Sequence, residues 1–253
     1  MLSDLRPQRS PTLPIPAVRS LHPGEEGYPL ADGTWQSWPG GPALFARQDP
    51  PPPISAIGSL AVLHRPRLGL ICSSHCPGSI ALATYRVARC ALPGGPLVIG
   101  GFHSPMERTV FELLTTRHCP VVVCPGRRIR SHSVPAAWAA AIAEERLLIL
   151  SPFTPERRRV DRLLAQRRNA FVAALADTVF VPYARPGGAV ASLVMTLLEE
   201  GRTVITVADR ETEGLVVLGA RAVSTEGLIA MVRGAGESGG DKTQDPGLLA
   251  GIL

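Results

Sequence analysis

The 253-residue sequence predicts an α/β fold in which a doubly wound, mostly parallel sheet carries helices on both faces. Short continuous runs of Val, Ile and Leu recur from residue 68 to residue 224, and amphipathic stretches of helical length separate them. A strand covered on both faces has no polar side, so its apolar run is unbroken. The 45% hydrophobic content is enough for one substantial core.

The elements follow in order. "LGLICSS" reads as a buried strand, and "PGSIALATYRVARCAL" as a helix with Pro77 near its first turn, where a missing N–H costs nothing. Then come strand "PLVIGG", helix "SPMERTVFELLTTR", strand "CPVVVCP", helix "PAAWAAAIAEE" and strand "RLLILSP". A long Arg-rich helix is predicted over 156–176, followed by strand "TVFVPYA", helix "GAVASLVMTLLEEG", strand "TVITVA", a short helix near "ETEGLVVLG", and "ARAVS". This is a Rossmann-like domain over residues 57–233. Residues 1–56, with "DPPPPIS", read as a proline-rich extended arm, and 234–253 as a flexible tail.

Composition bounds the function. No run of 18 apolar residues occurs and the first residues lack the apolar stretch of a signal peptide, so the expected location is cytoplasmic, with no membrane partner. Five cysteines lie in or beside apolar strands or in one loop, which is no disulfide framework; reduced thiols are expected. The net charge is +5, and 25 of the 26 basic residues are Arg. From Arg127 to Arg168 ten Arg face four acids, whereas 199–245 holds nine acids and five bases. That polarity points to an anionic partner near the middle of the chain.

Ligands of such sheets bind at the carboxyl ends of the strands, where helix N-termini present N–H groups to anions. Five loops therefore matter: "CSSHCPGS", "GGFHSP", "CPGRRIRSHS", "SPFTPERRR" and "YARPGGA". In "CSSHCPGS", Ser73, Ser74, His75 and the backbone at Gly78 can cradle a phosphate; an ordinary N-capped loop is the alternative. No G-x-G-x-x-G fingerprint is present, and Cys72, His75 and Cys76 lack the second ligand pair of a zinc site. Neither a metal nor another cofactor is expected.

In "GGFHSP", Gly100 and Gly101 allow close backbone approach, Ser104 can cap the next helix, and His103 sits at its mouth, beside a phosphate or a base or simply packed in the loop. No G-x-S-x-G elbow supports a catalytic triad. Arg127 and Arg128 follow the third strand, and Arg167, Arg168 and Asn169 interrupt an apolar helix, where a polar group needs a reason. Gly187 and Gly188 open a further helix in "ARPGGAV", as an anion site or as a tight turn. Phe102, Phe153 and Tyr183 are the aromatic candidates for base stacking.

The ordered series of pieces resembles the DNA-processing protein family DprA, also called Smf, within a superfamily that includes the LOG-type nucleotide hydrolases. "YPLADGTWQSWPGGPALFARQDPPPPISAIGSLAVLH" is similar to the family's lead-in. "LICSSHCPG" stands at its "VGSR" loop, "VIGGFHSPMERTVF" at its "SGLARGID" segment, "QRRNAFVAALADTVFVPYA" at its "RNR" helix, and "EEGRTVITVAD" at its last strands. Cys72, Ser73 and Ser74 replace "GSR", Ser104 replaces an Arg, Glu107 an Asp and Phe111 a His, while Arg168 and Asn169 keep the "RN" pair.

The resemblance implies a single-stranded DNA binding protein, an accessory of DNA uptake and recombination that delivers its strand to a RecA-type recombinase and acts as a homodimer. No winged helix is expected after residue 233. A pocket for a free nucleotide, as a sensor or an atypical LOG-like nucleoside monophosphate hydrolase, is the rival expectation. Against hydrolysis, Leu193 and Val194 stand where the LOG-type carboxylates belong, and apolar side chains supply no acid or base, so no catalytic residue is assigned.

Overall fold

In the computed structural model, residues 13–25, 28–30, 53–153 and 162–234 are described. The expected tail, the start of the expected Arg-rich helix at 156–161 and much of the expected proline-rich arm lie outside them.

Nine strands form one sheet: β1 (Arg19–Leu21), β2 (Ile54–Ile57), β3 (Arg67–Leu70), β4 (Leu97–Gly100), β5 (Val121–Val123), β6 (Leu147–Ser151), β7 (Thr178–Phe180), β8 (Val204–Val207) and β9 (Arg221–Val223). The described helices are α1 (Gly78–Cys90), α2 (Pro105–Thr116), α3 (Ala139–Ala143), α4 (Arg162–Leu175), α5 (Ala189–Glu199), α6 (Glu213–Leu218) and α7 (Thr225–Arg233). The strand order is β1-β2-β6-β5-β4-β3-β7-β8-β9. Strands β3 to β9 pair in parallel, and β1 and β2 add an antiparallel edge. The proline-rich arm thus contributes two strands that local sequence did not announce.

Side chains alternate across the sheet. Leu68 and Leu70 point to one face, with α1, α2, α3 and α7; Ile99, Val122 and Leu148 point to the other, with α4, α5 and α6. Both faces are dry, which is why the strand runs are apolar throughout.

The topology places the site. After β3 the chain moves outward through β4, β5 and β6, then returns to lay β7 on the opposite side of β3. Connections from β3 and β7 therefore diverge and leave a crevice at their carboxyl ends.

Candidate functional site

A crevice of about 630 Å³ opens at this switch point. The loop after β3 lines it with Ser73, Ser74 and His75, the loop after β4 with His103 and Ser104, α4 with Arg162, Arg168 and Asn169, and the mouth of α5 with Arg185 and Gly188. Of the residues singled out in the sequence, eight meet here. Gly101, Arg127 and Arg128 line a neighbouring cavity, in which His103 also takes part. Gly78, Gly100, Arg167 and Gly187 line neither.

The loop after β4 is built inward. Phe102 adopts φ 50°, a left-handed conformation that costs a bulky residue about 1 kcal/mol. That turn folds its ring back over Gly100, where an added Cβ would lie 3.0 Å from ring carbons. At Gly101 a Cβ would lie 2.3 Å from Nε of Arg168. Both glycines therefore make room for the protein's own side chains, and through them the loop and α4 are locked together.

Arg168 is only 6% exposed although it carries a charge. Its Nε and a terminal nitrogen donate to Oδ1 of Asn169 at 3.2 and 2.8 Å. Here is the reason for a polar pair in an apolar helix: Asn169 orients the guanidinium toward the crevice. Burial depresses the Arg168 pKa and nearby Glu107 opposes the shift.

Glu107, 2% exposed, organises the mouth of α2. Its Oε1 accepts from the Cys72 amide at 2.9 Å, and its Oε2 from the amides of His103 and Ser104, each at 3.0 Å. Ser104 Oγ accepts from the Glu107 amide at 3.2 Å, completing a capping box. One carboxylate thus joins the loops after β3 and β4 and takes the anion position at this helix terminus. In the sequence Glu107 stood out only as the replacement of a family Asp, although its spacing from Ser104 is the capping-box signature.

The other two mouths differ. Neither Pro77 at α1 nor Gly188 at α5 caps its helix with a side chain, and neither first turn holds an acid. Ser73 Oγ instead accepts from the Arg185 amide at 3.0 Å, tying the loop after β3 to the approach to α5. Cys72 and Cys76 face each other in that loop, and their contact raises the Cys72 thiol pKa and lowers that of Cys76. All five cysteines are free.

His103 stands on the rim between crevice and cavity. Partial burial, then Arg168, hold its imidazole below the ordinary histidine range; Glu107 opposes them, while Arg127 and Arg108 add to the depression. Around it the field is positive.

The cavity of about 570 Å³ lies beside the crevice, between the loops after β4 and β5. Ring centroids of Phe102 and Phe111 are 5.0 Å apart, and those of Phe111 and Trp138 are 5.1 Å apart. Ser151 Oγ donates to the Arg127 carbonyl at 2.8 Å and pins the loop carrying Arg127 and Arg128. Of the stacking candidates only Phe102 lies here. Phe111 and Trp138 were missed because they are distant in sequence. Among the described residues no cluster of metal-ligating side chains occurs and no helix is long and apolar enough to cross a membrane.

The chain is a Rossmann-like protein whose doubly wound sheet gathers a buried guanidinium, a serine-rich loop and an uncapped helix mouth at its switch point. The model of the DNA recombination-mediator protein A family matches residues 32–233, and the chain belongs to that family. Its fold is similar to the X-ray structure of DNA processing protein A (DprA) from Streptococcus pneumoniae. The TM-score is 0.62 at 18% identity, covering 83% of this chain and 73% of that one. DNA processing protein A from Helicobacter pylori, described for its single-stranded DNA binding mode, matches with TM-score 0.60 at 17% identity, over 84% of this chain and 94% of that one. No curated protein sequence matches significantly.

Proposed function

We propose that this protein binds single-stranded DNA as a recombination mediator, holding phosphates in the switch-point crevice. One observation carries the reading: Arg168 is buried, aimed by Asn169 and surrounded by Arg162, Arg185 and the bare mouth of α5, in a family named for recombination mediation. A guanidinium held in place loses little side-chain entropy on meeting a phosphate. Ser73, Ser74, His75, His103, Ser104 and Gly188 complete the phosphate track, and Arg127 and Arg128 extend it. Gly78, Gly100, Gly101, Arg167 and Gly187 belong to the loops and helix starts that support it.

The role is binding rather than hydrolysis. Val194, at a position where the related hydrolases carry a carboxylate, is wholly buried in the core under α5. We further propose that the protein acts in the cytoplasm as a homodimer and passes its strand to a RecA-type recombinase, as the family resemblance implies.

The test is a gel-shift series with single-stranded and duplex oligonucleotides at two salt concentrations. Tighter binding of the single strand, weakening steeply with salt, is expected because neutralised phosphates release counterions. Replacing Arg168 and Asn169 together by Ala is expected to reduce affinity at least tenfold, about the loss of one charged contact. A folded double variant that binds as wild type does would remove Arg168 from the interface.

A further inference from the structure

We infer that Cys72 and Cys76 are a modification site for peroxide, closing a reversible disulfide in the loop after β3 that weakens the hold of the crevice on its ligand. The bond itself is independent of the single-strand reading; its effect on DNA rests on that reading.

The fold places the pair for it. Cys72 lies at the strand end of the loop and Cys76 directly before Pro77 at the mouth of α1, with Ser73, Ser74 and His75 between them. Both side chains turn to the same apolar cluster, Cys72 as a buried member and Cys76 packed against it, and the two thiols are hydrogen-bonded to each other. The Cys72 end is fixed, because its amide donates to buried Glu107 at 2.9 Å. Cys76 is half-buried, so one side of its sulfur meets solvent. Two thiols in contact at so short a spacing close a small ring with little entropy left to lose. The "VGSR" loop that this segment resembles has glycine at the Cys72 position, where no such bond can form.

The two thiols have unequal roles. Their hydrogen bond lowers the Cys76 pKa against the effect of burial, and the same bond, then burial, raises that of Cys72. Cys76 is therefore the attacking thiolate and Cys72 the resolving thiol. The Cys76 sulfur attacks one oxygen of hydrogen peroxide; the O–O bond breaks, a sulfenic acid forms, and the hydroxide released takes up a proton to become water. With the thiolate gone, the Cys72 proton loses its main restraint. The Cys72 sulfur attacks the Cys76 sulfur, the S–S bond forms, and the sulfenic hydroxyl leaves with the Cys72 proton as a second water. The sulfurs give up two electrons in all, and the peroxide is reduced to water. Burial pushes up the thiols of Cys119 and Cys124, which makes them poor competitors.

The covalent bond draws the sulfurs closer than a thiol contact allows. A fixed length of chain over a shorter span bows outward. Ser73, Ser74 and His75 line the crevice while Cys76 lies against the core, so the bow enters the crevice. It also pulls on the bond from the Arg185 amide to Ser73 Oγ, 3.0 Å in the reduced protein. Oxidation thus narrows the phosphate cradle.

The test treats the whole reduced chain with equimolar hydrogen peroxide, blocks the remaining thiols and maps tryptic peptides. The peptide covering residues 68–86 is expected to lose two hydrogen atoms and to regain them with dithiothreitol, while the peptide holding Cys119 and Cys124 keeps both thiols. Cys72→Ala protein is expected to accumulate a Cys76 sulfenic acid that dimedone traps. Oligothymidylate binding is expected to weaken about fivefold on oxidation, the loss of about one neutral hydrogen bond, and to recover on reduction. Cys76→Ser protein is expected to bind alike in peroxide and in reductant, at the affinity of the reduced wild type.

A wild-type peptide 68–86 that stays reduced, or gains oxygen without closing the ring, overturns the disulfide whatever the variants do. A closed ring with unchanged DNA affinity keeps the bond and overturns its control of the crevice. If neither form binds DNA, the single-strand reading fails, and the peptide masses still decide the disulfide.

Discussion

The mouths of α2 and α5 open toward the same crevice, yet their chemistry is opposite. At α2 a buried glutamate takes three backbone N–H groups and a serine a fourth, so the dipole is answered from within. At α5 a glycine begins the helix with no side-chain cap. The first terminus is architecture that clamps two loops. The second has no such anion of its own. A helix N-terminus at a strand's carboxyl end is therefore not enough to mark an anion site; what decides is whether the protein has already supplied the anion.

The sharpest way to break this contrast is Glu107→Ala. Three buried N–H groups would lose their acceptor, and destabilisation of about 3 kcal/mol is expected in urea unfolding. A loss under about 0.5 kcal/mol would mean the carboxylate is no clamp. Next in size, Gly101→Ala would force the guanidinium of Arg168 out of its seat. It should cost about 2 kcal/mol, as overpacking does, together with weaker single-strand binding. Unchanged melting and binding would show that Arg168 has somewhere else to go.

Ala189→Asp tests the open mouth by filling it. The new carboxylate should stabilise α5 slightly, by about 0.5 kcal/mol, while raising the Kd for single-stranded DNA about tenfold. That opposite movement of stability and affinity is the signature of a helix end kept bare for an anion. Equal affinity in wild type and variant would assign the phosphate elsewhere.

The smallest effect concerns His103. Its pKa is held down in the free protein, so its neutral form is the stable one near neutrality; charging it on acidification opposes folding, and that part of stability is present above the unfolded pKa and lost as pH falls through the lowered folded value. A bound phosphate favours the imidazolium, so single-strand affinity should rise about threefold between about pH 7.5 and about pH 5.5. Titrating binding of wild type and His103→Gln side by side checks this, the variant's profile being expected to lie flat.

Much of the fold was legible because burial on both faces writes itself into composition: unbroken runs such as "PVVV" and "LLIL" exclude half-exposed strands. The edge strands β1 and β2 were not, since three or four residues between prolines carry no period and their pairing is non-local. Of the site, the loops after β3, β4 and β7 were found from the rule that ligands sit at strand ends, and Arg168 with Asn169 stood out as polar residues in an apolar helix. The reason for Gly100 and Gly101 was hidden. Close approach was legible, but the approaching groups are the ring of Phe102 and the guanidinium of Arg168, and no local pattern names them.

Residue order alone determined the alternation of strands and helices, the basic middle of the chain and the places where helices start, because these depend on neighbours within a few positions. Tertiary structure decided which termini stay open, which arginine is buried and that Phe111 and Trp138 meet. Those outcomes depend on contacts between segments far apart in the chain, and one inward carboxylate is enough to turn an anion site into a clamp.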